Sequence, residues 1–233
     1  DFTGGFGVDT YFLSRIARTF HAVEPNESLL EIAKFNHGLL RAGNITYHNT
    51  TAEEFVKSPK EQLDFGFIDP SRRTATQKKA VAFENCEPDV VQLAPQIFEH
   101  MRVLLVKGSP LLDLQAGIAQ LPFVKRVIVV SVANECKELL FLCESDWQGT
   151  PTIEAFNIAS DGTRQTFVFT FPEERELSST FSEPLEFLYE PNASILKAGA
   201  FKTVASRYDV VKLHANTHLY TSSSLVEKFP GRI

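Results

Sequence analysis

Apolar residues recur along this chain with two different periods, and the change from one to the other predicts its elements. Val8, Phe12 and Ile16, with Leu13 and Ala17 beside them, have helical spacing and predict a helix through about Arg18. Phe20 to Glu24 reads as a short buried strand ending in an acid, and Asn26 to about Leu40 as a helix with Asn26 as its N-cap. Asn44 to Asn49 predicts a strand, Thr51 to Phe55 the opening of a short helix, and Leu63 to Ile68 a strand ending at Asp69-Pro70. A helix over about Val90 to His100 leads to the almost wholly apolar strand Arg102 to Lys107. A further helix, about Leu112 to Gln120, precedes the strand Val127 to Val132, and Glu138 to Cys143 returns after a few residues as an antiparallel hairpin. Strands alternating with helices, and apolar almost throughout, predict an α/β fold: a parallel sheet covered on both faces, with a closing hairpin at its edge.

Beyond Glu144 the pattern changes. Thr152 to Ile158 and Gln165 to Phe171 read as strands joined by the turn Ser160-Asp161-Gly162. Glu173 to Glu186 is acidic and turn-rich, the composition of a linker. Asn192, after Pro191, caps an amphipathic helix to about Ser206 with Ile195, Leu196, Phe201 and Val204 inward. The expected division is therefore residues 1–148 and a small α+β domain over 149–233.

With 233 residues and 43% hydrophobic content the chain can bury one large core and carry an appendage. Three scattered cysteines and no signal peptide point to a reducing cytoplasm. No apolar run approaches the roughly twenty residues that span a bilayer, and no pair of ligands has metal-site spacing, so neither membrane nor metal is expected. The formal charge of −6 argues against a broad nucleic-acid surface, but Arg72, Arg73, Lys78 and Lys79 form a local basic loop.

Three short stretches carry candidate chemistry. Asp1-Phe-Thr-Gly4-Gly5-Phe-Gly7 is an acidic, glycine-rich turn running into a helix, the arrangement in which backbone amides face a ligand. Its glycine order is not that of a dinucleotide fingerprint. The leading carboxylate would repel a pyrophosphate but suits an ammonium group. Glu24, at the end of the next strand, has the position from which a carboxylate takes both ribose hydroxyls; the plainer alternative is a solvated acid at a helix cap. Asp69-Pro70-Ser71-Arg72-Arg73 follows the strand Leu63 to Ile68, the fourth of the fold, at the same sheet edge. Proline fixes the backbone there, Asp69 can orient or deprotonate a nucleophile, and the arginines can clamp a phosphate or carboxylate. Lys107 ends another strand at that edge.

With these pieces, residues 1 to about 145 resemble a class I S-adenosylmethionine-dependent methyltransferase, whose sheet is Rossmann-like and closes with an antiparallel hairpin. The tail segments Leu188 to Phe201 and Leu213 to Ser222 resemble the THUMP-like domain ending a bacterial family regarded as RNA methyltransferases. The resemblance implies S-adenosylmethionine as cofactor, contacted by Asp1, Thr3, Gly4, Gly5, Phe6, Gly7, Glu24, Pro25, Asn26, Ala52 and Glu53. It implies a methyl-transfer mouth with Asp69, Pro70, Arg72 and Lys107 as catalytic residues, and Arg72, Arg73 and Lys107 as substrate contacts. Two departures stand out: Thr51 occupies the place of an adenine-binding acid, and the fourth motif lacks the Pro-Pro-aromatic ending of exocyclic-amine methylases. A cysteine-nucleophile route would need a thiol near the mouth, and Cys86 is the one to consider; Cys136 and Cys143 read as core residues. The resemblance further implies that a first strand and a preceding helix come before Asp1. The acceptor expected is RNA, tRNA or rRNA. The rivals are a protein or small-molecule acceptor, and a non-catalytic cofactor-binding subunit.

Overall fold

The computed structural model describes residues 1–57, 62–72 and 82–233. Its elements, in chain order, are α1 (Val8–Ser14), β1 (Phe20–Val23), α2 (Glu27–Leu39), β2 (Ile45–His48), α3 (Ala52–Lys57), β3 (Leu63–Ile68), β4 (Ser71–Arg72), β5 (Cys86–Glu87), α4 (Val90–Phe98), β6 (Met101–Gly108) and α5 (Leu114–Gln120). There follow β7 (Val124–Val132), β8 (Glu135–Glu144), β9 (Thr152–Ile158), β10 (Arg164–Phe169), α6 (Phe171–Glu176), β11 (Phe187–Pro191), α7 (Ala193–Ala198), α8 (Phe201–Tyr208), β12 (Val211–Lys212), β13 (Tyr220–Ser222) and β14 (Gly231–Arg232). They fall into two units, one of residues 1–124 and 142–147, the other of residues 125–141 and 148–233.

In the first unit β1 runs parallel to β2, with Phe20 opposite Ile45 and Val23 opposite His48. β3 runs parallel to β6, with Leu63 opposite Met101 and Ile68 opposite Val106. Asp1 to Gly4 joins the two pairs. Asp1 N donates to His21 O, Val23 N to Asp1 O and Gly4 N to Val23 O, while Phe2 N donates to Phe67 O. Gly66 makes room for this segment, because a Cβ there would lie 2.9 Å from Cε2 of Phe2 and 2.6 Å from Sδ of Met101. Leu104 and Val106 of β6 and Ile68 of β3 are wholly buried, each contributing about 1.5–3 kcal/mol of burial.

α1 departs from the sequence expectation in length and in orientation. It ends at Ser14, where Asn44 Nδ2 donates to the carbonyls of Ser14 and Ala17 and stops the helix. Its buried residues are Thr10 and Ser14, whereas Val8, Phe12 and Ile16 are 64%, 61% and 87% exposed. The polar face turns inward because both hydroxyls find acceptors: Thr10 Oγ1 donates to Asp1 Oδ2 (2.7 Å) and Ser14 Oγ to Tyr11 O (2.8 Å). α2 is capped as expected, the Asn26 side chain accepting from the amides of Ser28 and Leu29. It buries Leu30, Ala33 and His37, one face at spacings of three and four.

In the second unit β7 and β8 are hydrogen-bonded neighbours joined at Ala133-Asn134, both with positive φ, the conformation of a tight hairpin turn. The hairpin is not an edge, which corrects the sequence expectation. β9 lies parallel to β7 on its other side, with Val127 opposite Ile153 and Val129 opposite Ala155, and β10 pairs antiparallel with β9. Ile153 and Ala155 are buried on the same strand face as Asn157, so β9 has an apolar stripe that needs a covered sheet position. The acidic stretch expected as a linker begins with a helix, α6, capped by Thr170 and with Pro172 in its first turn. The expected helix from Asn192 to Ser206 is two helices, α7 and α8, because Gly199 adopts a left-handed conformation (φ 78°) and closes α7. Ile195 and Val204 are fully buried, as their spacing predicts, while Leu196 and Phe201 are half-buried. Beside these helices β12, β13, β11 and β14 form a four-stranded antiparallel sheet in that order. Among the described residues no helix is long and apolar enough to cross a membrane.

Candidate functional site

The site is built where the glycine turn meets the C-terminal ends of β1, β3 and β6. Asp1 is turned into its own loop: Oδ1 accepts from Thr3 N (2.9 Å) and Thr3 Oγ1 (3.2 Å), and Oδ2 from Thr10 Oγ1 (2.7 Å). Its carboxylate thus ties the turn to α1, a task the sequence did not reveal beside the expected one of meeting an ammonium group. Gly7 N donates to Gly4 O, and Gly7 opens α1 in the left-handed region (φ 82°), where a side chain is strained. Gly5 also has positive φ, and Phe6 between them is 62% exposed.

Glu24 is 8% exposed. Its Oε2 accepts from Gly5 N and its Oε1 from Asn26 N, both at 2.8 Å. Two amides therefore fix the carboxylate, one on each oxygen, and each oxygen keeps a second lone pair. Asn49, which sequence reasoning missed, braces this corner: its Nδ2 donates to Glu24 O and to Pro25 O, both at 3.0 Å. Nothing in the sequence marks Asn49, since its partners lie 25 and 24 positions away. Just beyond it Thr51 Oγ1 accepts from Glu54 N and caps α3, whose first residues are the buried Ala52 and the exposed Glu53.

The mouth lies at the ends of β3 and β6. Asp69 N donates to Thr3 Oγ1 (2.8 Å), which couples the glycine turn to the Asp-Pro motif. Lys107 Nζ contacts Asp69 Oδ2 at 2.8 Å and Asp9 Oδ2 at 3.2 Å. Burial alone would lower the Lys107 pKa, but its hydrogen bond to Asp69 and the charges of Asp69 and Asp9 outweigh it and hold the pKa above the ordinary lysine value. Lys107 is therefore an ammonium that pins a carboxylate. Asp9 was also missed, although an acid in the first turn after a glycine loop was a visible signal. Ser71 and Arg72 form β4, paired antiparallel with Cys86 and Glu87 of β5. The Arg72 side chain, Arg73, Lys78 and Lys79 lie outside the described residues.

The structure thus brings the Asp1 to Gly7 turn against the Glu24-Pro25-Asn26 turn, and Asp69 with Lys107 into an adjoining pair. A cavity of about 440 Å3 is lined by residues from both ends of β1, Phe20 and Val23, and by Phe2, Leu63, Phe65 and Met101. Burial pushes the Cys143 thiol up to about 12 and raises that of Cys136, so both behave as core residues. Among the described residues no three His, Cys, Asp or Glu side chains converge on a metal position.

Comparison with known proteins adds three findings. A family profile for a ferredoxin-like domain matches residues 187–230, the stretch holding β11, α7, α8, β12 and β13. The crystal structure of a candidate methyltransferase from Porphyromonas gingivalis W83 superposes with a TM-score of 0.88 at 34% identity, over 100% of this chain and 58% of that one. The chain therefore spans little more than half the length of that protein. Two others superpose with TM-scores of 0.43 and 0.45: a candidate methyltransferase, SMU.1697c, from Streptococcus mutans in complex with SAH (17% identity, 62% of this chain and 85% of that one), and an rRNA methylase from Streptococcus thermophilus (16%, 64% and 85%). No curated protein matches the chain. The fold is accordingly α/β and Rossmann-like, followed by a ferredoxin-like C-terminal domain.

Proposed function

We propose that this chain is the cofactor-binding and methyl-transfer part of an S-adenosylmethionine-dependent methyltransferase acting on RNA, with the ferredoxin-like tail serving as a THUMP-like module. The observation that carries the reading is the buried Glu24 carboxylate, fixed by Gly5 N and Asn26 N at the end of β1. It fits a ribose, because it is held rigidly and keeps a lone pair on each oxygen for a hydroxyl. The likeness to the Porphyromonas gingivalis protein over the whole chain supports the same class.

When bound, S-adenosylmethionine supplies a methyl group activated on a sulfonium. The chain's own contribution is positioning, which for an in-line displacement is most of the catalysis. Glu24 would hold the ribose hydroxyls, the Gly4 to Gly7 turn the methionine end, and Ala52 and Glu53 the base. Asp69 accepts a hydrogen bond from the acceptor N–H or O–H and orients its lone pair. Lys107 holds Asp69 Oδ2 and Thr3 holds the Asp69 amide, so the carboxylate meets the acceptor in one orientation. RNA as acceptor rests on the resemblance of the tail, with Arg72 and Arg73 as the phosphate-binding residues.

The test is transfer of tritiated methyl groups by the full-length protein to separate RNA and protein pools from a strain lacking it. Label is expected in RNA and should fall about a hundredfold to ten-thousandfold with Asp69→Ala. Absence of RNA label while SAH still binds would overturn RNA as acceptor. Label in protein would identify the other substrate class.

A further inference from the structure

One buried titratable side chain at the site has no part in the scheme above. His37, on the inner face of α2, is 2% exposed. Its Nε2 lies 2.8 Å from Gly7 O and its Nδ1 2.8 Å from Tyr47 Oη of β2. A carbonyl oxygen only accepts, so Nε2 carries the proton. In the neutral ring Nδ1 is then the acceptor, and the Tyr47 hydroxyl must donate to it. In the neutral ring the direction of both bonds is therefore fixed: Tyr47 O–H to His37 Nδ1, and His37 Nε2–H to Gly7 O. The ring is held between Tyr11, stacked on it at 6.2 Å, and Tyr47, at 5.9 Å, each within 23° of parallel.

Gly7 O is an unusual atom to fasten. It also accepts from Tyr11 N, the first bond of α1, while Gly7 N donates to Gly4 O. Holding this carbonyl with two donors fixes the plane of the Gly7-Val8 peptide and, through Gly7 N, the closure of the Gly4 to Gly7 turn. The packing is tight from the same side: a Cβ on Gly7 would lie 2.6 Å from His37 Cε1 and Nε2 and 3.0 Å from Ala33 Cβ. An apolar residue at position 37 could fill the volume but would leave Gly7 O with one donor fewer and the turn free to rock.

We propose that His37, oriented by Tyr47, is a positioning residue that holds the glycine turn in its ligand-binding conformation, so that cofactor affinity depends on a hydrogen bond made on the far side of the loop. The proposal rests on the methyltransferase reading. It adds a determinant that touches neither cofactor nor acceptor.

The experiment measures SAH binding by calorimetry on full-length protein, for the unaltered chain and for His37→Leu, His37→Gln and Tyr47→Phe. His37→Leu should weaken SAH about tenfold, the worth of one well-made hydrogen bond at a preorganised site. His37→Gln, whose amide can donate to Gly7 O, should recover most of that loss. Tyr47→Phe should weaken binding about threefold, because the ring then loses the donor that fixes its tautomer. The KM for S-adenosylmethionine should rise in the same order with kcat little changed. Long-range proton–nitrogen spectra should show His37 in the Nε2–H form in the unaltered protein and a mixture in Tyr47→Phe. Normal SAH affinity in a folded His37→Leu would overturn the proposal, as would an Nδ1–H ring in the unaltered protein, a reading that needs no variant to fold. Failure of the unaltered protein to bind SAH would instead overturn the methyltransferase reading and this inference with it.

Discussion

Both units of this protein fix polar side chains by hydrogen bonds, but they use them differently. In the first, Asp1, Glu24, His37 and Asn49 direct their hydrogen bonds chiefly at backbone groups, namely Thr3 N, Gly5 N, Asn26 N, Gly7 O, Glu24 O and Pro25 O. In the second, Thr221, Ser222 and Lys212 also donate to backbone carbonyls, but one cluster satisfies itself side chain to side chain. Ser131 Oγ donates to Asn157 Oδ1 (2.6 Å), Asn157 Nδ2 and Asn192 Nδ2 both donate to Gln165 Oε1 (2.9 and 3.0 Å), and Ser194 Oγ donates to Asn192 Oδ1 (2.7 Å). Side chains aimed at backbone shape a loop, and Glu24 among them keeps a lone pair on each oxygen for a ligand. Side chains aimed at each other saturate and pin β7, β9, β10 and α7 together. Here the side chains that hold the main chain of the glycine turn mark the candidate site, and the self-satisfied cluster of the second unit marks architecture.

Three substitutions break or sharpen that contrast. The largest effect on ligand binding is expected for Glu24→Gln. Glutamine has one carboxamide oxygen, so its NH2 must face either Gly5 N or Asn26 N, donor against donor. SAH affinity should fall about a hundredfold, the cost of one unmade charge-assisted bond and one repulsion, about 2–3 kcal/mol; calorimetry with thermal unfolding as the folding control measures it. Asn157→Leu should have the opposite profile. It strands the Ser131 hydroxyl and takes one of two donors from Gln165, and should cost about 1–3 kcal/mol of stability in a denaturant titration, with SAH affinity unchanged. A loss of SAH affinity there would erase the distinction between the two regions. The smallest effect is expected for Thr10→Val, which removes the donor to Asp1 Oδ2 without changing shape. It should cost about 1 kcal/mol and a few-fold in SAH affinity, and an unchanged affinity would show that Asp1 needs no anchor on α1.

Much of the fold was legible in the sequence because local chemistry writes it there. Leu63–Ile68 has the bounds its apolar run predicts, and Asn26 caps α2 because an Asx side chain before a helix satisfies two amides. The acid at the end of β1 and the Asp-Pro turn at the end of β3 could be assigned to one sheet edge because alternating strands and helices impose it. The inward face of α1 could not. Its apolar stripe at Val8, Phe12 and Ile16 predicts burial, yet Thr10 and Ser14 are the buried residues, because hydroxyls with acceptors in hand lose little on leaving water.

The sequence by itself determined the alternation of the main strands and helices through β10, the glycine turn, and the carboxylates at 24 and 69 as chemistry in search of partners. Those follow from periods, caps and turns, which are set by residues a few positions apart. Only the tertiary structure decided that Lys107 pins Asp69 with Asp9, that Asn49 braces Glu24, that His37 fastens Gly7, and that β9 pairs with β7. Each of these joins residues 25 or more positions apart. Such pairings depend on which faces the packed helices and strands present to each other, and no local pattern records that.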